Sequence, residues 1–163
     1  FIDSDDLWHK EKIEKQLKFL EDNKVQICHT SYEIINRNNK ILGNRYARDF
    51  FNIKDIITSC DIGLSTVLLK KSILNKKLQF PKLKTKEDFV LWLKILSAGN
   101  KIYAIKKKLA KWRKLDTSLS SSLYQKLIDG FRVYYIYMNY NFLSSSYYLL
   151  CLSLNYLKKR FND

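Results

Sequence analysis

Thr85-Lys86-Glu87-Asp88-Phe89-Val90-Leu91-Trp92-Leu93-Lys94-Ile95-Leu96 is the stretch that decides the fold. Phe89, Trp92, Leu93 and Leu96 stand at i, i+3, i+4 and i+7, one face of a 3.6-residue period, and Gly99 supplies a stop. Thr85, three residues ahead of Asp88, fits a capping box, in which a hydroxyl and an acid satisfy the free N–H groups of a helix start. Strands are predicted around this helix. Val25 to Ile35 is β-rich, Arg37 to Lys40 reads as a turn, and Lys40 to Leu42 returns as a second strand. Leu64 to Leu69 reads as a buried strand, Tyr103 and Ile105 alternate with lysine, and Leu109 to Arg113 is a further strand. Lys106-Lys107-Lys108 between them reads as a solvated turn. Short helices are expected over Asp49 to Ser59 and Lys70 to Lys76. A longer one is expected over Leu7 to Asp22, with Ile13, Leu17 and Leu20 inward. Helices and strands alternating at these lengths indicate an α/β layer fold.

The amino-terminal stretch Phe1-Ile2-Asp3-Ser4-Asp5-Asp6-Leu7-Trp8 sets three aspartates side by side in a chain of net charge +14. Like charges this close repel by about 1 kcal/mol per pair even at the dielectric of water. A hard divalent cation with oxygen ligands would offset that cost. Asp5 or Asp6 can equally cap a helix starting near Leu7, although one cap needs only one carboxylate. Glu87 and Asp88 stand at the start of a helix anchored by its apolar face. A carboxylate there has the fixed geometry of a general base, with the capping role of Asp88 as the alternative.

The 163 residues suit one domain or a piece of one, and 46% hydrophobic residues suffice for a core. The chain opens on what reads as the end of a strand, so residues ahead of Phe1 are expected to belong to the same fold. One Pro and four Gly argue against a linker-rich chain. Cys28, Cys60 and Cys151 are scattered and odd in number, without metal spacing, so reduced thiols in a cytoplasmic compartment are expected. His9 and His29 have no ligand spacing, and His29 reads as packed within a strand. The excess of Lys and Arg permits nucleic acid, an anionic membrane or an anionic substrate as partner. After Asp116 the character changes. Leu123 to Phe142 and Tyr147 to Phe161 read as tyrosine-rich helices broken at Ser144-Ser145-Ser146. They either pack on the domain or lie on an anionic membrane surface beside Lys158-Lys159-Arg160.

The two acid motifs together resemble the family 2 glycosyltransferases of GT-A fold. Asp3 to Asp6 resembles their Asp-x-Asp motif, and Lys86 to Leu96 their Glu-Asp motif. Gly63-Leu64-Ser65-Thr66-Val67 resembles the strand before the acceptor region, and Trp112-Arg113 with Ser118 and Ser120 the aromatic-Arg loop. The likeness covers about residues 1–122, taken as the C-terminal portion of a GT-A (Rossmann-like) domain without its nucleotide-binding half, and 123–163 as a helical tail. It implies a nucleotide-sugar donor, Mn²⁺ or Mg²⁺, a saccharide or glycolipid acceptor and no nucleic acid. Asp5 and Asp3 would ligate the metal. Asp3, Asp6, Glu87 and Arg113 would contact substrate, Arg113 through the donor diphosphate. Asp88 would be the catalytic base of an inverting transfer, in cell-surface polysaccharide or lipopolysaccharide synthesis at the cytoplasmic face of the membrane. The fragment by itself is expected to be inactive. The alternative kept beside it is a basic, aromatic-rich nucleic-acid-binding module without activity.

Overall fold

A computed structural model describes residues 1–75, 78–115 and 123–161, with side chains of the last helix up to Lys159. Ser118 and Ser120 lie outside the described residues. Five strands form one mixed sheet: β1 (Leu7–Trp8), β2 (Ile27–Ile35), β3 (Ile41–Arg45), β4 (Leu68–Leu69) and β5 (Tyr103–Arg113). The order is β1-β5-β2-β3, and β4 joins β2 on the same edge as β3, at its other end. β2 and β5 run parallel, with Cys28 opposite Tyr103 and Ile35 opposite Arg113. A parallel pair needs a crossover, and α2 (Glu87–Ser97) lies in that connection. Seven of its eleven residues are buried, from Phe89 to Leu93 and then Ile95 and Leu96. A helix apolar nearly all round is a core helix, and each such side chain contributes roughly 1.5–3 kcal/mol on burial. Gly99 follows its end at φ +82°, where a residue without Cβ is favoured.

The structure corrects several local expectations. Residues 7 and 8 are strand, paired with Lys111 and Ala110 of β5, and α1 runs only from Lys12 to Asp22. Its buried face is Lys12, Gln16 and Leu20, while Ile13 and Leu17 are exposed. Lys12 stacks its ammonium over the Trp8 ring at 4.2 Å, and Gln16 donates to the Thr66 carbonyl at 3.0 Å. Lys12 and Gln16 together with Leu20, the one member of the apolar triplet that is buried, set the rotation of the helix. The expected strand at Leu64 is a single 3-10 turn (Leu64–Thr66) followed by the two residues of β4. The helix expected over Asp49 to Ser59 shrinks to Ile53–Asp55. The two strands expected around Lys106 to Lys108 are one strand, and the pairing with β2 is bulged there.

The C-terminal helices share the core of the sheet. α3 (Leu123–Arg132) passes through a π-helical turn (Val133–Tyr137) and a break at Asn139, at φ 55°, into α4 (Phe142–Phe161). Ser144 to Ser146 therefore lie inside α4 rather than breaking it. Val133, Tyr134 and Leu152 join Phe89, Trp92 and Ile57 in one apolar cluster. The Tyr134 hydroxyl donates to the Ile57 carbonyl at 2.6 Å and Asn155 to that of Thr58 at 2.9 Å.

Candidate functional site

The acid loop is fastened from three sides. Asp3 N–H donates to Ser65 Oγ at 3.0 Å, and Trp8 Nε1 to the Ser65 carbonyl at 2.7 Å. The backbone N–H of Arg113 donates to Asp6 Oδ1 at 2.9 Å. The Arg113 guanidinium donates through Nε to the Asp5 carbonyl at 2.8 Å and through Nη1 to the carbonyls of Asn36 and Arg37 at 2.8 and 3.2 Å. The aspartates thus stand in a loop ahead of a strand, which removes the helix-cap reading. Asp6 is buried and spent on Arg113 and Ser65; burial nonetheless pushes its carboxyl up, against those two hydrogen bonds. Asp3 is also pushed up, by desolvation and then by Asp5. The Asp5 carboxylate accepts no hydrogen bond among the described residues.

The second set of acids is placed by α3. Thr85 does not cap α2: its N–H and its hydroxyl both donate to Asp129 Oδ2, each at 3.0 Å. Gln125 donates to the same oxygen at 2.9 Å, and Arg132 stands 3.7 Å from Oδ1. Lys86 is the residue before the helix, in the left-handed region at φ 64°. The capping box is therefore absent, because Thr85 is turned into the core toward α3. Asp88 Oδ1 accepts from the N–H of Phe89 at 2.7 Å. Burial, and next the Glu87 carboxylate, raise Asp88 to about 6. Glu87 is raised as well, chiefly by burial, and its Oε2 is buried without a hydrogen-bond partner among the described residues.

Both sets face one open cleft of about 630 Å³, within the range of ligand pockets. Asp3, Asp5, Asp6, Glu87, Asp88 and Arg113 all line it, so every candidate drawn from the sequence meets there. The sequence reading missed Tyr32, Cys60 and Lys126, which share the lining with Lys86 and Trp112 of the two motifs. Burial lifts the Cys60 thiol to about 12, which leaves it inert. Asp129 was missed too; its signal was a carboxylate beside Gly130 on a helix face that had to turn inward. His29 is buried against Phe50 with its Nε2 at 2.8 Å from the Arg48 carbonyl, a packed residue as expected. Among the described residues no group of three or more His, Cys, Asp or Glu side chains forms a metal site, and no helix is long and apolar enough to cross a membrane.

No family model matches the sequence. The chain is 35% identical over its whole length to the UDP-Glc:alpha-D-GlcNAc-diphosphoundecaprenol beta-1,3-glucosyltransferase WfgD of Escherichia coli, of which it spans 63%. It is 27% identical over 98% of its length to the putative teichuronic acid biosynthesis glycosyltransferase TuaG of Bacillus subtilis, of which it spans 64%. The chain thus spans less than two thirds of these relatives. Its fold matches residues 1–349 of S. aureus TarS, solved with UDP-GlcNAc, at a TM-score of 0.63 and 19% identity, over 95% of this chain and 46% of that one. The chain is therefore related along its whole length to glycosyltransferases and carries their GT-A-type α/β fold.

Proposed function

We propose that the cleft is the transfer site of an inverting glycosyltransferase that moves a sugar from a nucleotide-sugar donor to a saccharide hydroxyl in cell-surface polysaccharide synthesis. One observation carries the reading: two acid clusters far apart in sequence, one ahead of β1 and one at the start of α2, line the same cleft. The chemistry requires a base on one side of the anomeric carbon and charge compensation on the other. Asp88, raised to about 6, is ionised at neutral pH yet more basic than an ordinary carboxylate, as a general base should be. It takes the proton of the acceptor hydroxyl as that oxygen bonds to the anomeric carbon. The bond from that carbon to the donor diphosphate breaks, and the nucleoside diphosphate leaves. The unpartnered Glu87 Oε2 is suited to accept from a sugar hydroxyl.

Asp5 and Asp3 supply an oxygen-only pair open to the cleft. One or two carboxylates with substrate phosphates are the usual setting for Mg²⁺, which keeps waters in its other positions. A bound Mg²⁺ or Mn²⁺ would supply compensation for the charge gathering on the leaving diphosphate. Arg113 has Nε and Nη1 committed to backbone carbonyls, so only its remaining amino group is available to a phosphate. Five carboxylates around the cleft would repel a nucleic-acid backbone, and the relatives named above are glycosyltransferases; both favour the enzyme over the nucleic-acid-binding reading.

The membrane side of the proposal rests on α4. Leu143, Tyr147, Leu150, Leu154 and Leu157 recur every three or four residues and are all exposed. That outward stripe, on a chain of net charge +14, suits attachment to an anionic membrane surface. The test of the transfer reading is Asp88→Asn in the full-length protein carrying this chain. Donor-dependent release of nucleoside diphosphate should fall roughly 10²–10⁴-fold while donor binding persists. Turnover near wild type overturns the role of Asp88.

A further inference from the structure

Thr85, Lys86, Glu87 and Asp88 can start a helix in two ways. In the first, Thr85 is the cap and Lys86 the first helical residue. The Asp88 carboxylate then folds back to accept the Thr85 N–H, as in a capping box. The same chain forms such a box elsewhere. At the turn Ile53–Asp55, Asp55 Oδ2 accepts from the N–H of Phe51 at 2.8 Å and of Asn52 at 3.0 Å. Those bonds, the one from Phe51 most, hold the Asp55 carboxyl below its usual value. An aspartate three residues after its cap therefore reaches far enough to close the box, and a carboxylate so captured is a weaker base.

The structure takes the second start. The N–H and hydroxyl of Thr85 are both on Asp129 Oδ2, and α2 begins one residue later, at Glu87. Lys86 is left in the left-handed region at φ 64°, which a residue with a Cβ resists. The strain persists because α3 holds both sides of Lys86. Asp129 is fully buried and fastens Thr85 on the backbone side. Gly130 gives the lysine stem its room, since a Cβ there would stand 3.7 Å from Lys86 Cε and 2.8 Å from Leu149 Cδ1. With the Thr85 N–H held by α3, the Asp88 carboxylate lines the cleft and accepts from the N–H of Phe89 instead. We propose that Asp129 is the positioning residue of the candidate base: by taking the N–H and hydroxyl of Thr85 it stops α2 from starting one residue earlier, and so keeps the Asp88 carboxylate out of a capping box and open to the acceptor. That Asp88 serves as a base rests on the transfer reading of the cleft; that Asp129 keeps its carboxylate uncaptured is tested apart from it.

The test is the titration midpoint of the Asp88 carboxyl, followed by carbon NMR in the full-length protein without donor or acceptor and assigned by its loss in Asp88→Asn. The charged and titratable groups facing Asp88 are Glu87 and Lys86 beside it, Asp3 of the acid loop, Tyr32 of β2 and Cys60. Asp129→Ala should lower the midpoint from its value of about 6 by about one unit, the shift that accompanies roughly tenfold capture of the ionised form. Asp129→Asn removes the same charge but keeps an acceptor for Thr85, and should move it less than half as far. A second pair leaves Asp129 in place. Lys86→Pro fixes φ near about −65° and suits a first helical residue, so it should also lower the midpoint. Lys86→Gly loses the same ammonium, which itself lowers Asp88, but accepts the left-handed region freely; it should raise the midpoint. In turnover, Asp129→Ala should lower the neutral plateau about tenfold and shift the acid limb down by the same unit, so that its rates meet those of wild type at low pH. A protonated Asp88 has nothing to be captured, whereas a merely loosened fold would lower the rate at every pH. An unmoved midpoint in Asp129→Ala, an equal fall in Asp129→Asn, or a rise in Lys86→Pro overturns the proposal. If Asp129→Ala does not fold, the opposite signs of the Lys86 pair decide it. Failure of the transfer reading shows instead as unchanged turnover in Asp88→Asn and leaves these midpoints standing.

Discussion

Asp5 and Asp6 are neighbours in one cluster, and the structure separates their roles. Arg113 holds the carbonyl of Asp5 but the carboxylate of Asp6. Asp5→Ala therefore keeps the loop fastened and should leave stability within about 0.5 kcal/mol while abolishing metal-stimulated transfer. Asp6→Ala orphans the Arg113 N–H and should cost roughly 1–3 kcal/mol in denaturant unfolding. Equal losses of stability in the two variants would contradict this division. Asp88 carries a cost of the same kind. Its folded value of about 6 lies above the usual carboxylate value of 3.8, so the folded chain holds that proton more tightly than the unfolded one. The associated stability is present below pH 4 and is lost as pH rises through 6. Asp88→Asn should then be more stable than wild type above pH 6, by on the order of 1–3 kcal/mol, with the gap closing toward pH 4. Thermal unfolding at pH 4 and 7.5 reads this directly, and a pH-independent gap would count against the raised value.

At the level of elements, α3 acts as a latch on the start of α2. The oxygen Asp129 Oδ2 accepts from Thr85 twice and from Gln125 once. Asp129→Ala removes all three acceptances in the core and should destabilise by roughly 2–4 kcal/mol in chemical denaturation. Asp129→Asn, which keeps one acceptor oxygen, should recover part of that; no difference between the two would mean the latch is packing alone. The elements also show what the sequence made legible. α2, β2 and the β2–β3 turn follow from apolar period and turn residues, because local pattern and burial agree there. The start of α2 misled because Thr85 and Asp88 satisfy a local rule that a distant carboxylate overrides. α1 misled because Lys12 and Gln16 occupy the buried face through a ring and a carbonyl, partners with no trace in hydrophobic spacing. The acid residues were legible as chemistry, but the meeting of Asp6 with Arg113 depends on strand order, and Asp129 on the fold of α3.

For the whole molecule, the two faces of α4 have opposite fates. Leu152 and Tyr148 turn into the core, whereas Leu143, Tyr147, Leu150 and Leu154 turn outward. The protein should sediment with phosphatidylglycerol vesicles and be released by salt, since screening weakens its attraction to the surface. Leu150→Ser combined with Leu154→Ser should lower vesicle partitioning at least tenfold without unfolding, as each leucine contributes roughly 1.5–3 kcal/mol of apolar burial. Unchanged sedimentation would remove the stripe as an anchor.

The clasp between Asp6 and Arg113 joins residues 107 positions apart, beside an antiparallel pairing of β1 with β5 that local sequence cannot close. Pairings of such long range form slowly, because the loop must be ordered before any contact rewards it. The acid cleft is consequently among the last parts of this chain to come into being during folding. A partly folded chain would hold helix and hairpin but no place for two acid clusters to meet, so a nucleotide-sugar would act as a ligand of the finished fold alone and, by mass action, as its thermodynamic brace.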